Sequence, residues 1–201
     1  ERLSHSYSKI IHGKLGNGEY EIYNTGKAGL EKTLTKREFI GLNVTIPYKK
    51  HVISFCDKLS DTAKAIGSVN TLVFENGALV GHNTDYAGFS YMARRAGISF
   101  DGMRVLILGS GGTSLTARAV AAEEGAAQIV VISRSGETNY ENINKFSDFD
   151  ILINTTPVGM YPKNGDCPVK LDGFTGLRGV IDVIYKDRKS TRLNSSHLVI
   201  S

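Results

Sequence analysis

Residues 105–114 read Val105-Leu106-Ile107-Leu108-Gly109-Ser110-Gly111-Gly112-Thr113-Ser114. An unbroken run of four branched apolar residues suits a strand buried on both faces, and the alanine-rich stretch to Glu124 suits a helix. A short glycine turn between them restricts this half of the chain to strand–turn–helix units of a parallel sheet with right-handed crossovers. Further buried strands are expected at 129–132, 151–153 and 180–183. In the turn, Gly109 permits the sharp bend and Gly111 lets a pyrophosphate approach the backbone. The amides that open the helix then bind its charge. Ser114 stands where the usual fingerprint has its third glycine, and a side chain this small still allows close packing. A strand-to-helix turn with no ligand is the competing reading of the same residues.

The tip of the second strand reads Ile132-Ser133-Arg134-Ser135-Gly136. An NAD site carries an acid there for the ribose 2′-hydroxyl, and this tip has none. Arg134 can pair with a 2′-phosphate and Ser133 and Ser135 can donate to it, so NADP is the expected cofactor. A solvated surface arginine is the alternative. Two segments upstream carry groups for proton transfer. Asn43-Val44-Thr45-Ile46-Pro47-Tyr48-Lys49 sets a lysine past a strand-like run and a proline. Gly81-His82-Asn83-Thr84-Asp85 sets an aspartate on a loop that opens a helix. Reducing a carbonyl by hydride needs a proton for the developing alkoxide, which a lysine can donate while an aspartate orients its ammonium. Taken without context, the same two residues read as a surface salt bridge.

Six segments, in order, carry a family resemblance: Ser4-His5-Ser6-Tyr7-Ser8, residues 43–49, Gly67-Ser68-Val69-Asn70-Thr71, Asn83-Thr84-Asp85, the glycine turn at 109–112, and Asn154-Thr155-Thr156-Pro157-Val158-Gly159-Met160. Over roughly residues 3–185 the chain resembles shikimate dehydrogenase. The resemblance implies NADPH-dependent reduction of 3-dehydroshikimate to shikimate, in chorismate and aromatic amino-acid biosynthesis. It implies Lys49 as acid/base and Asp85 as its partner. It implies Ser6 and Ser8 on the substrate carboxylate, Thr45, Asn70 and Thr84 near its hydroxyls, and Tyr185 lining the site. On the cofactor side it implies Gly109, Ser110, Gly111, Gly112, Thr113, Ser133, Arg134, Ser135, Thr155 and Thr156, with Val183 beside the nicotinamide. Strand-end capping is the plainer role for the two threonines, and a helix N-cap for Ser8. Lys9 replaces the proline that the family usually has after the second serine. Two rivals stand beside this reading: a quinate/shikimate dehydrogenase using NAD, and a non-catalytic ligand-binding homologue.

The expected fold class is α/β: an N-terminal mixed α/β substrate domain (1–85), a linking helix (86–101) and an incomplete NADP-binding Rossmann domain with a doubly wound parallel sheet (102–185). Residues 186–201 depart from the family pattern and are expected to be a non-native tail. With a first strand and a C-terminal segment expected to be missing, the chain is expected to be weakly active or inactive. The tail holds Lys186, Arg188, Lys189 and Arg192 against Asp187, so +3 of the formal charge of +4 sits there and +1 elsewhere. Nucleic-acid binding is therefore not expected. No run of 18 apolar residues exists, so no membrane partner is expected either. Two distant cysteines, Cys56 and Cys167, read as free thiols of a cytoplasmic protein, with no metal site. A small-molecule substrate and a monomer or homodimer complete the expectation.

Local signals add detail. A helix should begin near Ser8, and Tyr20-Glu21-Ile22-Tyr23 should be a short strand. Thr35 should cap a turn through Glu38. Residues 39–46 should form a strand, and Lys49 should start a helix running to Asp57. Ser60 should cap a helix over 60–66. Asn76-Gly77 should close a type I′ hairpin between 71–74 and 78–81. A helix over 85–96 should stop at Gly97.

Overall fold

Sheet pairing follows the two kinds of apolar pattern in the chain. The structure is a computed structural model that describes residues 7–16, 19–159, 166–183 and 198–200. It divides into two compact units, Glu1–Ile40 and Gly41–Ser201. In the first, α1 (Ser8–Leu15) ends on Gly16 in the left-handed region, and α2 (Lys27–Lys36) follows. Tyr20–Tyr23 is not a strand, because no described strand pairs with it. Thr35 lies inside α2 and not at a cap: its hydroxyl donates to the Glu31 carbonyl at 2.8 Å, so the helix continues until Arg37 turns left-handed.

The second unit holds two sheets. The smaller has the order β1 (Gly41–Asn43), β3 (Thr71–Glu75), β4 (Ala78–His82), β2 (Lys58–Leu59). β3 and β4 are an antiparallel hairpin closed by Asn76 and Gly77, both at positive φ as a type I′ turn requires. The strand expected over 39–46 is shorter. Only 41–43 pair with β3, because the chain then turns, with Tyr48 N donating to Thr45 O at 2.9 Å. The helix expected from Lys49 is a 3₁₀ segment, His51–Phe55. Ser60 caps α3 (Asp61–Ile66) as expected, accepting from the Ala63 amide at 3.2 Å.

The larger sheet is parallel, in the order β6 (Gln128–Ile132), β5 (Arg104–Leu108), β7 (Ile151–Asn154), β8 (Gly179–Asp182), β9 (Leu198–Ile200). It winds both ways from β5, to β6 on one side and to β7 on the other. The middles of its central strands are apolar because both faces are covered. Val105, Ile107, Ile151, Ile153 and Ile181 meet Phe89, Ala93, Ala117 and Val120 of α4 (Asp85–Arg95) and α5 (Gly112–Glu123). Leu106, Leu108, Leu152 and Val180 meet Ile143, Phe149 and Leu177 on the other face. Strand–helix alternation was expected throughout this half. Between β6 and β7 the described chain instead carries only a 3₁₀ turn, Ile143–Phe146. β9 belongs to the stretch read as a tail, yet it pairs with β8 from Gly179 to Ile181.

Tyr86 donates to Glu123 at 2.5 Å and Ser90 to Glu124 at 2.6 Å, so α4 lies along α5 in register. Burial and the adjacent Glu123 carboxylate push the Tyr86 phenol up to about 12.

Candidate active site

Parallel pairing brings the ends of β5, β6, β7 and β8 to one edge of the large sheet. In open α/β sheets that edge, beside the strand where the order reverses, is where ligands bind. Gly109 follows β5 with φ 102°, a region that favours glycine. A Cβ there would stand 2.9 Å from Thr155 Oγ1, so the turn also needs glycine for space. Ser110 is exposed at the tip, and Gly111 occupies the N-cap of α5 in extended backbone. A Cβ on Gly111 would meet nothing within 4 Å. The backbone amides that open α5, at Gly112 and Thr113, are thus approachable by an anion. Ser114 is buried, as its place in the fingerprint requires.

At the end of β6, Ser133 N donates to Thr138 O and Thr138 Oγ1 to Val131 O, which closes the loop on itself. Arg134 and Ser135 are exposed at its tip, and Arg134 makes no ion pair among the described residues. These features fit a dinucleotide carrying a 2′-phosphate.

Thr155 and Thr156 follow β7, but their hydroxyls are engaged within the fold. Thr155 Oγ1 donates to Leu108 O at 2.6 Å, and Thr156 Oγ1 to Asn154 Oδ1 at 2.7 Å. Capping of the strand end accounts for both hydroxyls. Val183 follows β8, its amide donating to Asn154 O and its side chain half-buried against the core.

Lys49 and Asp85, 36 positions apart, meet in the structure. Lys49 Nζ lies 2.5 Å from Asp85 Oδ2. The lysine side chain is 12% exposed and the aspartate 35%. Asp85 opens α4, where the helix dipole favours a negative charge. Its other oxygen accepts from Asn70 Nδ2 at 2.8 Å. Asn70 is itself held: its Oδ1 accepts from Thr84 N at 2.9 Å and from Thr71 Oγ1 at 3.0 Å, and its Nδ2 also reaches Thr84 Oγ1. The Lys49 carbonyl accepts from Val69 N at 2.8 Å. Lys49, Asn70 and the adjacent pair Thr84-Asp85, from three separate stretches of the chain, are therefore one hydrogen-bonded group.

Thr45 is exposed and its side chain does not join this group. Ser8 is the first residue of α1, in the Glu1–Ile40 unit, with Tyr7 at the cap position. Ser6 and Tyr185 lie outside the described residues. Two residues with no role assigned from sequence are structural keys. Asn83, buried, donates to Ser68 O at 3.0 Å and Thr116 Oγ1 at 3.4 Å and accepts from Tyr86 N at 3.2 Å. Asn154 donates to Asp182 Oδ1 at 3.2 Å and so ties β7 to β8. Asn83 was legible as an N-terminal helix signal, an asparagine three residues before an amide that needs a partner.

A dinucleotide-type sheet edge beside a lysine–aspartate pair defines a dehydrogenase site. Residues 1–72 match the family described as the shikimate dehydrogenase substrate binding domain. The chain is 37% identical over 210 residues to the shikimate dehydrogenase (NADP(+)) of Clostridium beijerinckii, covering 94% of this chain and 77% of that one. The Methanosphaera stadtmanae enzyme of the same name is 32% identical, with 96% and 79% covered. The crystal structure of shikimate dehydrogenase 1 from Peptoclostridium difficile superposes with a TM-score of 0.85 at 32% identity, with 96% and 79% covered. That of shikimate 5-dehydrogenase from Thermus thermophilus, in complex with NADP(H) and shikimate, gives 0.84 at 26%, with 100% and 84% covered. The chain belongs to the shikimate dehydrogenase family.

Proposed function

We propose that this protein reduces 3-dehydroshikimate to shikimate with NADPH, a step of chorismate and aromatic amino-acid biosynthesis. The observation that carries the reading is the Lys49–Asp85 pair at 2.5 Å, held by Asn70 and standing beside the glycine turn. Bound NADPH would supply a hydride to the substrate carbonyl carbon. The residues of this chain account for the rest. Lys49 Nζ gives its proton to the developing alkoxide in reduction and takes it back in oxidation. Asp85 holds the ammonium in place, and Asn70 fixes the carboxylate so that one oxygen always faces the lysine. Lys49 is largely buried and Asp85 half-buried, so the lysine is held in place while the site stays open to solvent on the aspartate side.

Gly109, Gly111 and the first amides of α5 would hold the pyrophosphate, and Arg134 with Ser133 and Ser135 the 2′-phosphate. Thr155, Thr156 and Val183 would shape the nicotinamide end. Ser6, Ser8, Thr45, Asn70, Thr84 and Tyr185 are assigned to the substrate. The division into a substrate domain (1–85) and a cofactor domain (102–185) is part of the same reading. Two cysteines 111 positions apart, Cys56 and Cys167, with no Cys-x-x-Cys spacing, fit the reducing cytoplasm to which we assign the protein.

The test is NADP⁺ reduction in the presence of shikimate, followed by nicotinamide absorbance, with quinate and NAD⁺ run in parallel. Turnover with shikimate and NADP⁺ that vanishes in Lys49→Ala supports the reading. Turnover with quinate and NAD⁺ alone, or ligand binding with no turnover, overturns it.

A further inference from the structure

Two adjacent glycines of the turn differ in what surrounds them. A Cβ on Gly111 would meet nothing within 4 Å. A Cβ on Gly112 would stand 3.0 Å from Ser68 Oγ, 3.1 Å from Lys49 Cδ and 3.2 Å from Lys49 Cβ. Gly112 is the first residue of α5 and its φ lies outside the left-handed region, so it needs glycine for space and not for backbone freedom. The space is bounded by the Ser68 hydroxyl and by the stem of the lysine. That stem is fixed at both ends, by Val69 N on the Lys49 carbonyl and by Asp85 on Nζ. Beside it Ser68 is fully buried, and its hydroxyl has no hydrogen-bond partner among the described residues. The Ser68 hydroxyl can turn aside without losing a hydrogen bond, but any shift of the lysine stem disturbs the bonds that aim the ammonium.

We propose that Gly112 is a positioning residue for Lys49: its missing side chain is the seat of the lysine stem. The two glycines then divide the work of the turn. Gly111 leaves room for the cofactor, and Gly112 leaves room for the acid/base group. The inference rests on the reading of Lys49 as acid/base, but the contact itself is testable without turnover.

The variants are Gly112→Ala and Gly111→Ala in the full chain. In Gly112→Ala, Lys49 Nζ becomes severalfold more reactive to trace acetylation, read by peptide mass spectrometry, because its pairing with Asp85 loosens. Its kcat falls about 10-fold for a displacement of a few tenths of an ångström, while NADPH affinity stays near that of the parent. Gly111→Ala shows the reverse: weakened NADPH binding and unchanged Lys49 labelling. A urea-unfolding cycle of Gly112→Ala with Lys49→Ala supplies a readout free of both ligand and turnover. The alanine at 112 lowers the unfolding midpoint when Lys49 is present and lowers it less when the stem beyond Cβ, with its contact at Cδ, is removed. Unchanged Lys49 labelling in Gly112→Ala, strict additivity in the cycle, or a Gly112→Ala defect confined to NADPH affinity overturns the proposal. If Gly112→Ala does not fold, folding restored by Lys49→Ala supports the contact and failure to restore it counts against it. A parent protein without shikimate turnover leaves the labelling and the cycle intact, so failure of the functional reading is distinguishable.

Discussion

Asp85→Asn separates charge from shape at the centre of the site. Both partners of the carboxylate are donors: Lys49 Nζ at 2.5 Å on one oxygen and Asn70 Nδ2 at 2.8 Å on the other. An asparagine of the same size accepts on only one side. Whichever way its amide turns, one NH₂ faces a donor, and the ammonium loses its counter-charge. A hydrogen bond to a charged group contributes about 1.5–3 kcal/mol. At about 1.4 kcal/mol per tenfold in rate, that alone gives roughly 10- to 100-fold. Misaimed proton transfer adds to it, so kcat for shikimate oxidation should fall at least about 100-fold, within the range of general acid–base catalysis. Asp85 is 35% exposed, so solvent screens its charge and the loss of folding stability stays near 1–2 kcal/mol. Steady-state kinetics together with urea denaturation measure the two effects separately. A folded Asp85→Asn protein within threefold of parental kcat, a bound of about 0.7 kcal/mol on the barrier, would refute the argument that the carboxylate aims the lysine.

Three further outcomes follow from the geometry. Arg134→Ala should raise the KM for NADPH about 10-fold or more and leave that for NADH nearly unchanged, since only the 2′-phosphate loses a charge-assisted bond; equal effects on both cofactors would remove Arg134 from that role. Asn83→Ala should destabilise the protein by about 2–3 kcal/mol in urea, because it breaks three bonds of a buried amide at the junction of Ser68, Tyr86 and Thr116. Stability should also decline as pH rises from about 10, where the unfolded phenol ionises, towards about 12, where folded Tyr86 does. In that window the unfolded chain has lost a proton that the folded one keeps, so alkali favours unfolding. Tyr86→Phe should flatten that part of the pH–stability curve.

Where local chemistry dictates structure, the sequence was sufficient. The Asn76-Gly77 hairpin, the Ser60 cap, the stop at Gly97 and the glycine turn after β5 each follow from backbone preferences of a few residues, and tertiary context had no reason to override them. The apolar runs of β5, β7 and β8 likewise required a sheet covered on both faces. Tyr20–Tyr23 and residues 39–46 went the other way. Strand propensity is realised only where a partner edge exists, and pairing is a property of the whole fold.

The site divides along the same line. The resemblance carried by the motifs singled out Lys49 and Asp85; without it the same two residues read as a surface salt bridge. Only the folded chain decided that Asn70 holds the free oxygen of Asp85, that the Thr155 and Thr156 hydroxyls are engaged within the strand ends, and that the Lys49 stem rests on Gly112. Except for the Thr156 bond to Asn154, each of these joins residues at least 15 apart in the chain. A hydrogen bond or a van der Waals seat depends on distances of a few tenths of an ångström, and those are settled by how the two sheets and α5 pack together.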